Sequence, residues 1–319
     1  MNEDLHWSHK KEFGKSNWQF LFFRSLVCKS PWPITSVVVA VITFFYFITA
    51  KTEREISRDY LNRVFHKAKR KKASLWDIYK HFVSFSFSMV EKISYSDESK
   101  PLDVIEEMND DLQKLVEELN QGKGACLVCS HLGNIEILRA LAHENQTHAS
   151  RSFKVIPVMD LSGTAHFNSI LKELNPSLMS EIIDANSVSS DTIIWMKEQI
   201  QQGNLVVIAG DRTSAHTSHR SIKVPFLGSE APFPIGSFLL VSLLSSSIYY
   251  AFALRKKDLR LFSKCEMHIQ KTNLSQNYSR KERDEYLKKM IQEYAEILGN
   301  HCIKHPYQWY NFYKFWKKK

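Results

Sequence analysis

Cysteine is scarce in this chain of 319 residues, which has only five, scattered along its length. An odd and scattered set argues against the disulfide framework of a small secreted domain and favours a reducing compartment. Cys126 and Cys129 form a C-x-x-C pair, but they lie in an apolar run that predicts a buried strand, where their side chains face different ways. We therefore expect neither zinc binding nor redox chemistry from this pair.

Other absences exclude further classes of function. The sequence contains no G-x-S-x-G motif, which argues against a serine-dependent hydrolase. His216 and His219 form an H-x-x-H pair without the third histidine or carboxylate that a zinc site needs, so we expect no metal. There are also no internal repeats and no low-complexity linkers, and this favours a single folded domain behind an N-terminal segment.

Acidic residues are outnumbered, since 43 Lys and Arg stand against 34 Asp and Glu and give a net charge of +9. Such a surplus indicates an anionic partner, which could be a membrane, a nucleic acid or an acidic carrier protein. In residues 1–29 aromatic side chains alternate with cations, a composition that suits base stacking as well as a lipid headgroup region. No nucleic-acid fold signature accompanies it, so we expect a membrane surface and no nucleic acid as the partner.

A long run without charge covers residues 34–50. As a helix it would measure about 25 Å, slightly short of a hydrocarbon core of about 30 Å. No compact basic start and no cleavage site of a signal peptide flank it. A tilted span, an interfacial or re-entrant helix and a buried core helix all stay open, and we favour membrane contact. The basic residues that follow, including 67–72, favour the cytoplasmic face, although a solvated helix end also accounts for 67–72.

Apolar and amphipathic stretches alternate along the rest of the chain. They predict a buried strand at 125–129, an apolar strand at 204–209, further strands at 153–159, 181–184 and 247–254, and an edge strand at 259–269. They also predict helices at 75–93, 102–120, 163–174, 190–201, 237–247 and 280–303. Prolines and glycines predict a rigid loop at 225–236. The fold class is α/β, with a mixed, mostly parallel central sheet, helices on both faces and an N-terminal membrane-associated helical segment. We place a membrane-anchoring helical region at residues 1–100 and the catalytic domain at 101–319.

Polar side chains that are able to take part in acid–base catalysis follow the first buried strand. His131 and Glu136 are spaced H-x-x-x-x-E where this strand ends and a helix begins, which is where open α/β sheets bind ligands. A histidine there can accept a proton near neutral pH, and a carboxylate can fix its tautomer and stabilise the imidazolium. Gly133 would allow the turn, and Asn134 would add a donor or cap the helix. A surface histidine and an ordinary first-turn glutamate have the same spacing, so both interpretations stay open.

A second polar group ends a later strand at the same predicted edge of the sheet. Arg212 is a candidate clamp for a phosphate or an oxyanion, and Asp211 could orient it. A structural Asp–Arg pair at a strand end would have the same sequence. Arg139 lies about one helical turn beyond Glu136, and we favour a pair between them over phosphate binding.

The sequence CSHLGNIEILRAL at 129–141 resembles the bacterial lipid A biosynthesis late acyltransferases, the lauroyl and myristoyl transferases within the lysophospholipid acyltransferase-like superfamily. Members carry a histidine, four spacers and then Asp or Glu. The order and spacing of further blocks carry the same resemblance, at 208–213, 224–228, 233–236 and 306–310. The stretches at 7–14 and 60–63 are similar to a branch found beside glycolipid and aryl-polyene pathways.

The resemblance implies a membrane-associated O-acyltransferase at the cytoplasmic face of the inner membrane. It would move a fatty acyl chain from acyl carrier protein or coenzyme A to a hydroxyl of a lipid A-like, glycolipid or lysophospholipid acceptor, with no bound cofactor. His131 would be the general base and Glu136 its orienting group, and the substrate-binding residues would be Gly133, Asn134, Arg139, Asp211 and Arg212. The alternatives are an acyltransferase of an aryl-polyene or other specialised lipid pathway, a thioesterase or lipid hydrolase, and a non-enzymatic basic membrane-binding protein.

Overall fold

The structure is a computed structural model that describes residues 30–96, 104–106, 109–134, 137–138, 148–161, 182–212 and 220–316. The predicted helix at 163–174, the basic stretch at 1–29 and the boundary at residue 100 lie outside the described residues. The helices are α1 Trp32–Thr49, α2 Lys51–Lys67, α3 Leu75–Ser96, α4 Asp110–Asn120, α5 Ser190–Gln201, α6 Ile235–Leu243 and α7 Arg283–Lys304. The strands are β1 Val104–Glu106, β2 Ala125–Cys129, β3 Val155–Met159, β4 Ile183–Asp184, β5 Leu205–Ala209, β6 Ser221–Phe226, β7 Ser229–Pro234, β8 Ile248–Arg255 and β9 Cys265–Lys271.

Seven of these strands form one sheet in the order β1-β9-β8-β2-β5-β3-β4. Every neighbouring pair is parallel except β8 and β9, which are antiparallel. The prediction of a mixed, mostly parallel sheet is therefore confirmed. The order is not the order of the chain, because β2 lies between β8 and β5, and this places strands that are distant in sequence next to each other at the centre.

Both faces of the sheet are covered, and this explains the unbroken apolar runs of the central strands. On one face α4 covers the odd-numbered side chains of β2, which include Cys129. On the other face α5, α6 and α7 cover the even-numbered ones, which include Cys126. The two cysteines thus point to opposite faces, as the period of a strand requires. Helix α5 begins after Ser189, whose hydroxyl accepts from Thr192 N, and the predicted bounds of this helix are confirmed.

Three secondary-structure predictions were wrong. The helix predicted at 102–120 begins only at Asp110, where Asn109 caps it, and strand β1 occupies Val104–Glu106. Because β1 pairs with β9, strand β9 is not the edge of the sheet. The predicted rigid loop at 225–236 contains an antiparallel hairpin of β6 and β7, which form a separate two-stranded sheet. Prolines are tolerated there because both strands of such a ribbon are edges, where a missing N–H leaves no partner unpaired.

Helices α2 and α3 share the main core with the sheet, through residues such as Tyr60, Phe65 and Phe82. Helix α1 packs on α3 and buries one stripe, composed of Thr35, Val39, Thr43 and Phe47. In the part of the chain that the structure describes, α1 is the one helix that is long and apolar enough to cross a membrane, a criterion that some core helices and signal sequences also meet. Most of its other residues are exposed and the rest are half-buried, so the buried-core interpretation accounts for only one of its faces.

Candidate active site

The central pair of parallel strands brings His131 and Asp211 together. Cys129 at the end of β2 lies opposite Ala209 at the end of β5. His131 and Asp211 each follow two residues later, so the shared register places them side by side at the carboxyl edge of the sheet. This is the edge at which open α/β sheets bind their ligands.

Asp211 holds His131 by two hydrogen bonds. The ring Nδ1 lies 2.8 Å from Oδ1, and the backbone N–H of His131 donates to Oδ2 at 2.9 Å. The Asp211 side chain is 1% exposed, whereas 35% of the His131 side chain remains accessible. Because an ionised carboxylate only accepts, Nδ1 carries the proton and Nε2 keeps its lone pair. No hydrogen bond to Nε2 forms among the described residues, so Nε2 is available to a substrate.

The charges of the site keep this arrangement at neutral pH. Burial lowers the pKa of His131 below its ordinary value, the cation of Arg212 lowers it further, and Asp211 opposes both. Burial by itself would raise the pKa of Asp211, but its interactions with His131 and with the cation of Arg212 together outweigh burial, and the net pKa is lowered. The pair is therefore a neutral imidazole beside an ionised carboxylate, which is the state that a general base requires.

Gly133 fixes the turn after His131. Its φ is +76°, and a Cβ at this position would lie 2.0 Å from the carbonyl oxygen of Ala253 in β8, so only glycine fits. The backbone N–H of Gly133 donates to Gln308 O, and that of Asn134 donates to Ala253 O. Both N–H groups thus hold the loop. The Asn134 side chain is 3% exposed, and neither of its amide atoms has a hydrogen-bond partner among the described residues.

The segment 305–316 passes directly beneath the pair. Trp309 is 0% exposed, and its Nε1 donates to Asp211 Oδ2 at 2.9 Å. The Tyr310 N–H donates to the carbonyl of His131, and the Tyr310 carbonyl accepts from Arg212 at 2.6 Å. The Tyr313 hydroxyl donates to Asp211 O at 3.1 Å. This segment therefore positions His131, Asp211 and Arg212.

A buried network in turn holds the segment 305–316 to helix α3. The carbonyl of Trp309 accepts from His81 Nε2 at 2.8 Å, so His81 Nδ1 accepts from the Ser57 hydroxyl at 2.8 Å. Arg255, 3% exposed, pairs with Glu91 at 2.9 Å and donates to the Tyr310 hydroxyl at 2.8 Å. Each of these buried side chains has at least one hydrogen-bond partner, and removal of one partner would leave another group unsatisfied.

The structure describes five of the seven site residues that the sequence predicts. His131, Gly133, Asn134, Asp211 and Arg212 meet at one edge of the sheet. Glu136 and Arg139 lie outside the described residues, so their roles stay predictions. The contact between Asp211 and His131 was not foreseen, because Asp211 was assigned to Arg212. The signal was the equal spacing of the two residues beyond their strands, but it has meaning only once β2 and β5 are known to be neighbours.

The role of Trp309 was missed as well. The composition of residues 305–316, dense in aromatic side chains, fits a membrane interface as well as a tail packed across the domain. The structure packs the aromatic side chains of this segment into the domain core.

Comparison with known families decides the class of chemistry. The family model described as bacterial lipid A biosynthesis acyltransferase matches residues 1–318. The chain belongs to the bacterial lipid A biosynthesis acyltransferase family. This lipid A acyltransferase family uses acyl thioester donors and lipid acceptors in general and is generally membrane-associated. No curated relative matches the chain.

Proposed function

We propose that this lipid A acyltransferase family member is an O-acyltransferase with His131 as its general base. It would transfer a fatty acyl chain from acyl carrier protein or coenzyme A to a hydroxyl of a lipid A-like, glycolipid or lysophospholipid acceptor. The observation that carries the proposal is the buried Asp211 on Nδ1 of His131, with Nε2 left available. That arrangement is the one used to activate hydroxyl nucleophiles.

In the proposed reaction Nε2 of His131 takes the proton of the acceptor hydroxyl, while the oxygen of that hydroxyl attacks the carbonyl carbon of the thioester. The tetrahedral intermediate collapses with loss of the C–S bond, and the leaving thiolate takes the proton from the imidazolium. The products are an ester and a thiol, and no acyl-enzyme is needed. Asp211 stabilises the imidazolium between the two steps and keeps the ring in one orientation.

Two side chains can stabilise the negative charge that develops on the thioester oxygen. Arg212 is held by the Tyr310 carbonyl and lies 5.8 Å from the centre of the Tyr313 ring, so its position is fixed before substrate binds. The amide of Asn134 is buried without a partner among the described residues, a state that costs free energy unless a ligand satisfies it. A donor fixed in advance at the reacting carbonyl is the most effective form of such stabilisation.

Two carboxylates are candidates to orient His131. The contact at 2.8 Å supports Asp211, whereas the H-x-x-x-x-E spacing predicts Glu136. We assign Nδ1 to Asp211, and the orienting role of Glu136 stays a prediction. The acyl-transfer activities of the single variants Asp211→Asn and Glu136→Gln would distinguish the two carboxylates. Only the substitution of the residue that is bonded to Nδ1 should change the tautomer of His131.

We further propose that the enzyme acts at the cytoplasmic face of the inner membrane. The apolar helix α1 is followed at once by the cationic helix α2, a pattern typical of segments on the cytoplasmic side. The net positive charge suits both anionic lipids and an acidic carrier protein. No bound cofactor or metal is part of the proposal.

The test is lipid mass spectrometry on cells that lack the gene and are complemented with wild type, His131→Ala or His66→Ala. His66 is an exposed histidine and serves as the matched control. We expect a lipid one acyl chain lighter in the deletion strain, restored by wild type and His66→Ala only. Restoration by His131→Ala would overturn the mechanism, and the mass difference would identify the acyl chain and its acceptor, including one from an aryl-polyene pathway.

A further inference from the structure

The polarity of helix α1 is inverted with respect to a helix of a soluble domain. Its buried stripe includes two threonines, Thr35 and Thr43, which are 0% and 4% exposed. Seven large apolar side chains point outward instead, each about half exposed or more: Ile34, Val37, Val41, Ile42, Phe44, Phe45 and Ile48. A surface helix in water shows the opposite pattern, so the outer face of α1 is built for an apolar environment.

The inner face of α1 is joined to α3 over residues 39–47. The Thr43 hydroxyl donates to the Ser86 hydroxyl at 2.8 Å, and the Tyr79 hydroxyl donates to the carbonyl of Ala40 at 2.7 Å. Phe47 makes ring contacts with Tyr79 and Phe82 at 5.5 and 5.3 Å between centroids. Helix α1 is therefore part of the folded domain and not a separate anchor that extends away from it.

Cations hold both ends of α1 at the domain surface. Arg260 lies over the ring of Trp32 at 5.0 Å, and Arg54 lies over the ring of Phe47 at 5.2 Å. Near the second end, the exposed Leu75 and Trp76 extend the apolar surface onto the start of α3. The exposed loop before them carries Lys69, Arg70, Lys71 and Lys72. The whole surface is an apolar stripe with aromatic side chains and a cationic border.

We propose that α1 lies in the plane of the membrane, with its outer face immersed in one leaflet of an anionic bilayer. A crossing orientation would bury α3 in hydrocarbon as well, because α3 packs against α1 over residues 39–47. Helix α3 carries Asp77, Lys80 and Lys92, which are all partly exposed, and charged side chains in hydrocarbon are costly. An in-plane orientation satisfies the apolar face and leaves the charges of α3 on the protein side.

The cationic border identifies the occupant as lipid with anionic headgroups. Amphipathic surfaces that combine exposed aromatic and aliphatic side chains with Lys and Arg bind the headgroup boundary of such bilayers. The inference goes beyond the proposed acyl transfer and does not rest on it, since its test measures position in the bilayer and not activity.

The decisive measurement is the immersion depth of single spin labels by collision with oxygen and a nickel chelate. Labels would be placed at Val37→Cys, Val41→Cys, Phe45→Cys and Ile48→Cys in the full-length Cys28→Ser background, in phosphatidylethanolamine–phosphatidylglycerol vesicles. The described cysteines, Cys126, Cys129, Cys265 and Cys302, are buried and should not react. We expect similar depths for the four labels. A steady change of about 1.5 Å per residue along the helix would show a span and overturn the proposal, as would water-like exposure of all four.

A second experiment tests the cationic border by vesicle sedimentation. Lys69→Gln, Lys71→Gln and Lys72→Gln combined should weaken binding to phosphatidylglycerol vesicles at least about tenfold and leave binding to phosphatidylcholine vesicles unchanged. For the apolar face, Phe45→Glu should weaken binding to both, and Ile194→Glu is the matched control, because Ile194 is also exposed, at 56%, but lies on α5. Equal effects of Phe45→Glu and Ile194→Glu would contradict a specific role of α1.

Discussion

Asp211 accepts hydrogen bonds from three groups, the ring and backbone of His131 and the indole of Trp309. We expect Asp211→Asn to slow acyl transfer by roughly 10²- to 10⁴-fold, because an amide can donate to Nδ1 and so select the wrong tautomer. The measurement is the rate of ester formation from an acyl thioester and a lipid acceptor. Glu136→Gln is the comparison, and an Asp211→Asn enzyme as active as wild type would refute the assigned role.

The pH dependence of the same enzyme gives a second prediction at the residue scale. The pKa of His131 lies below its ordinary value, so the acid limb of kcat/KM should fall below about pH 6.5. Asp211 raises this pKa, and its neutralisation in Asp211→Asn should move the acid limb to still lower pH. A limb that moves upward, or does not move, would show that another group controls the profile.

His81 affects stability through its burial. Burial lowers the pKa of His81 to about 4 from an unfolded value of about 6.5. The unfolded protein therefore binds this proton more readily than the folded protein. The free energy of unfolding is greatest above pH 6.5 and decreases by about 3 kcal/mol in all as the pH falls toward 4. His81→Phe should remove this part of the pH dependence and lower the free energy of unfolding by about 2 to 4 kcal/mol, since Ser57 and the Trp309 carbonyl lose their partner. Denaturant unfolding of both proteins between pH 4 and 7 provides the check, and parallel pH curves would contradict it.

At the scale of elements, the segment 305–316 links the catalytic pair to the core. Trp309→Phe removes the donor to Asp211, and we expect kcat to fall roughly tenfold with a smaller change in KM. Trp316→Phe is the matched control, because Trp316 packs on the same aromatic cluster but its Nε1 has no hydrogen-bond partner among the described residues. If both variants lose the same activity, the effect is one of aromatic packing and not of the hydrogen bond.

The elements that sequence reasoning predicted well are those with a local cause. The runs at β2 and β5 are apolar because both faces of the sheet are covered, and α5 carries its own cap at Ser189. The errors arose where the cause is distant. Val104–Glu106 is a strand because β9 offers a partner, and Asp211 faces His131 because β5 lies beside β2. Trp309 reaches Asp211 from 98 residues away, a contact that no local pattern indicates.

At the scale of the whole molecule, one hydrophobic core joins α2, α3, the sheet and the segment 305–316. We therefore expect a single cooperative thermal transition in detergent, detected alike by far-ultraviolet circular dichroism and by tryptophan fluorescence. A fragment of residues 101–319 should not fold, since it would expose the surface that Tyr60, Phe65 and Phe82 cover. Two separate transitions, or a folded fragment, would favour independent N-terminal and catalytic domains.

The outward apolar face of α1 has a kinetic consequence if it holds the enzyme flat against one leaflet. His131 would then stay at a constant height above the lipid, and acceptor molecules would reach it by lateral diffusion. The rate would depend on the mole fraction of acceptor in the leaflet and not on its amount per volume of water. Dilution with inert lipid would slow the enzyme even when total acceptor and total enzyme are unchanged, so that the composition of the membrane itself regulates acyl transfer.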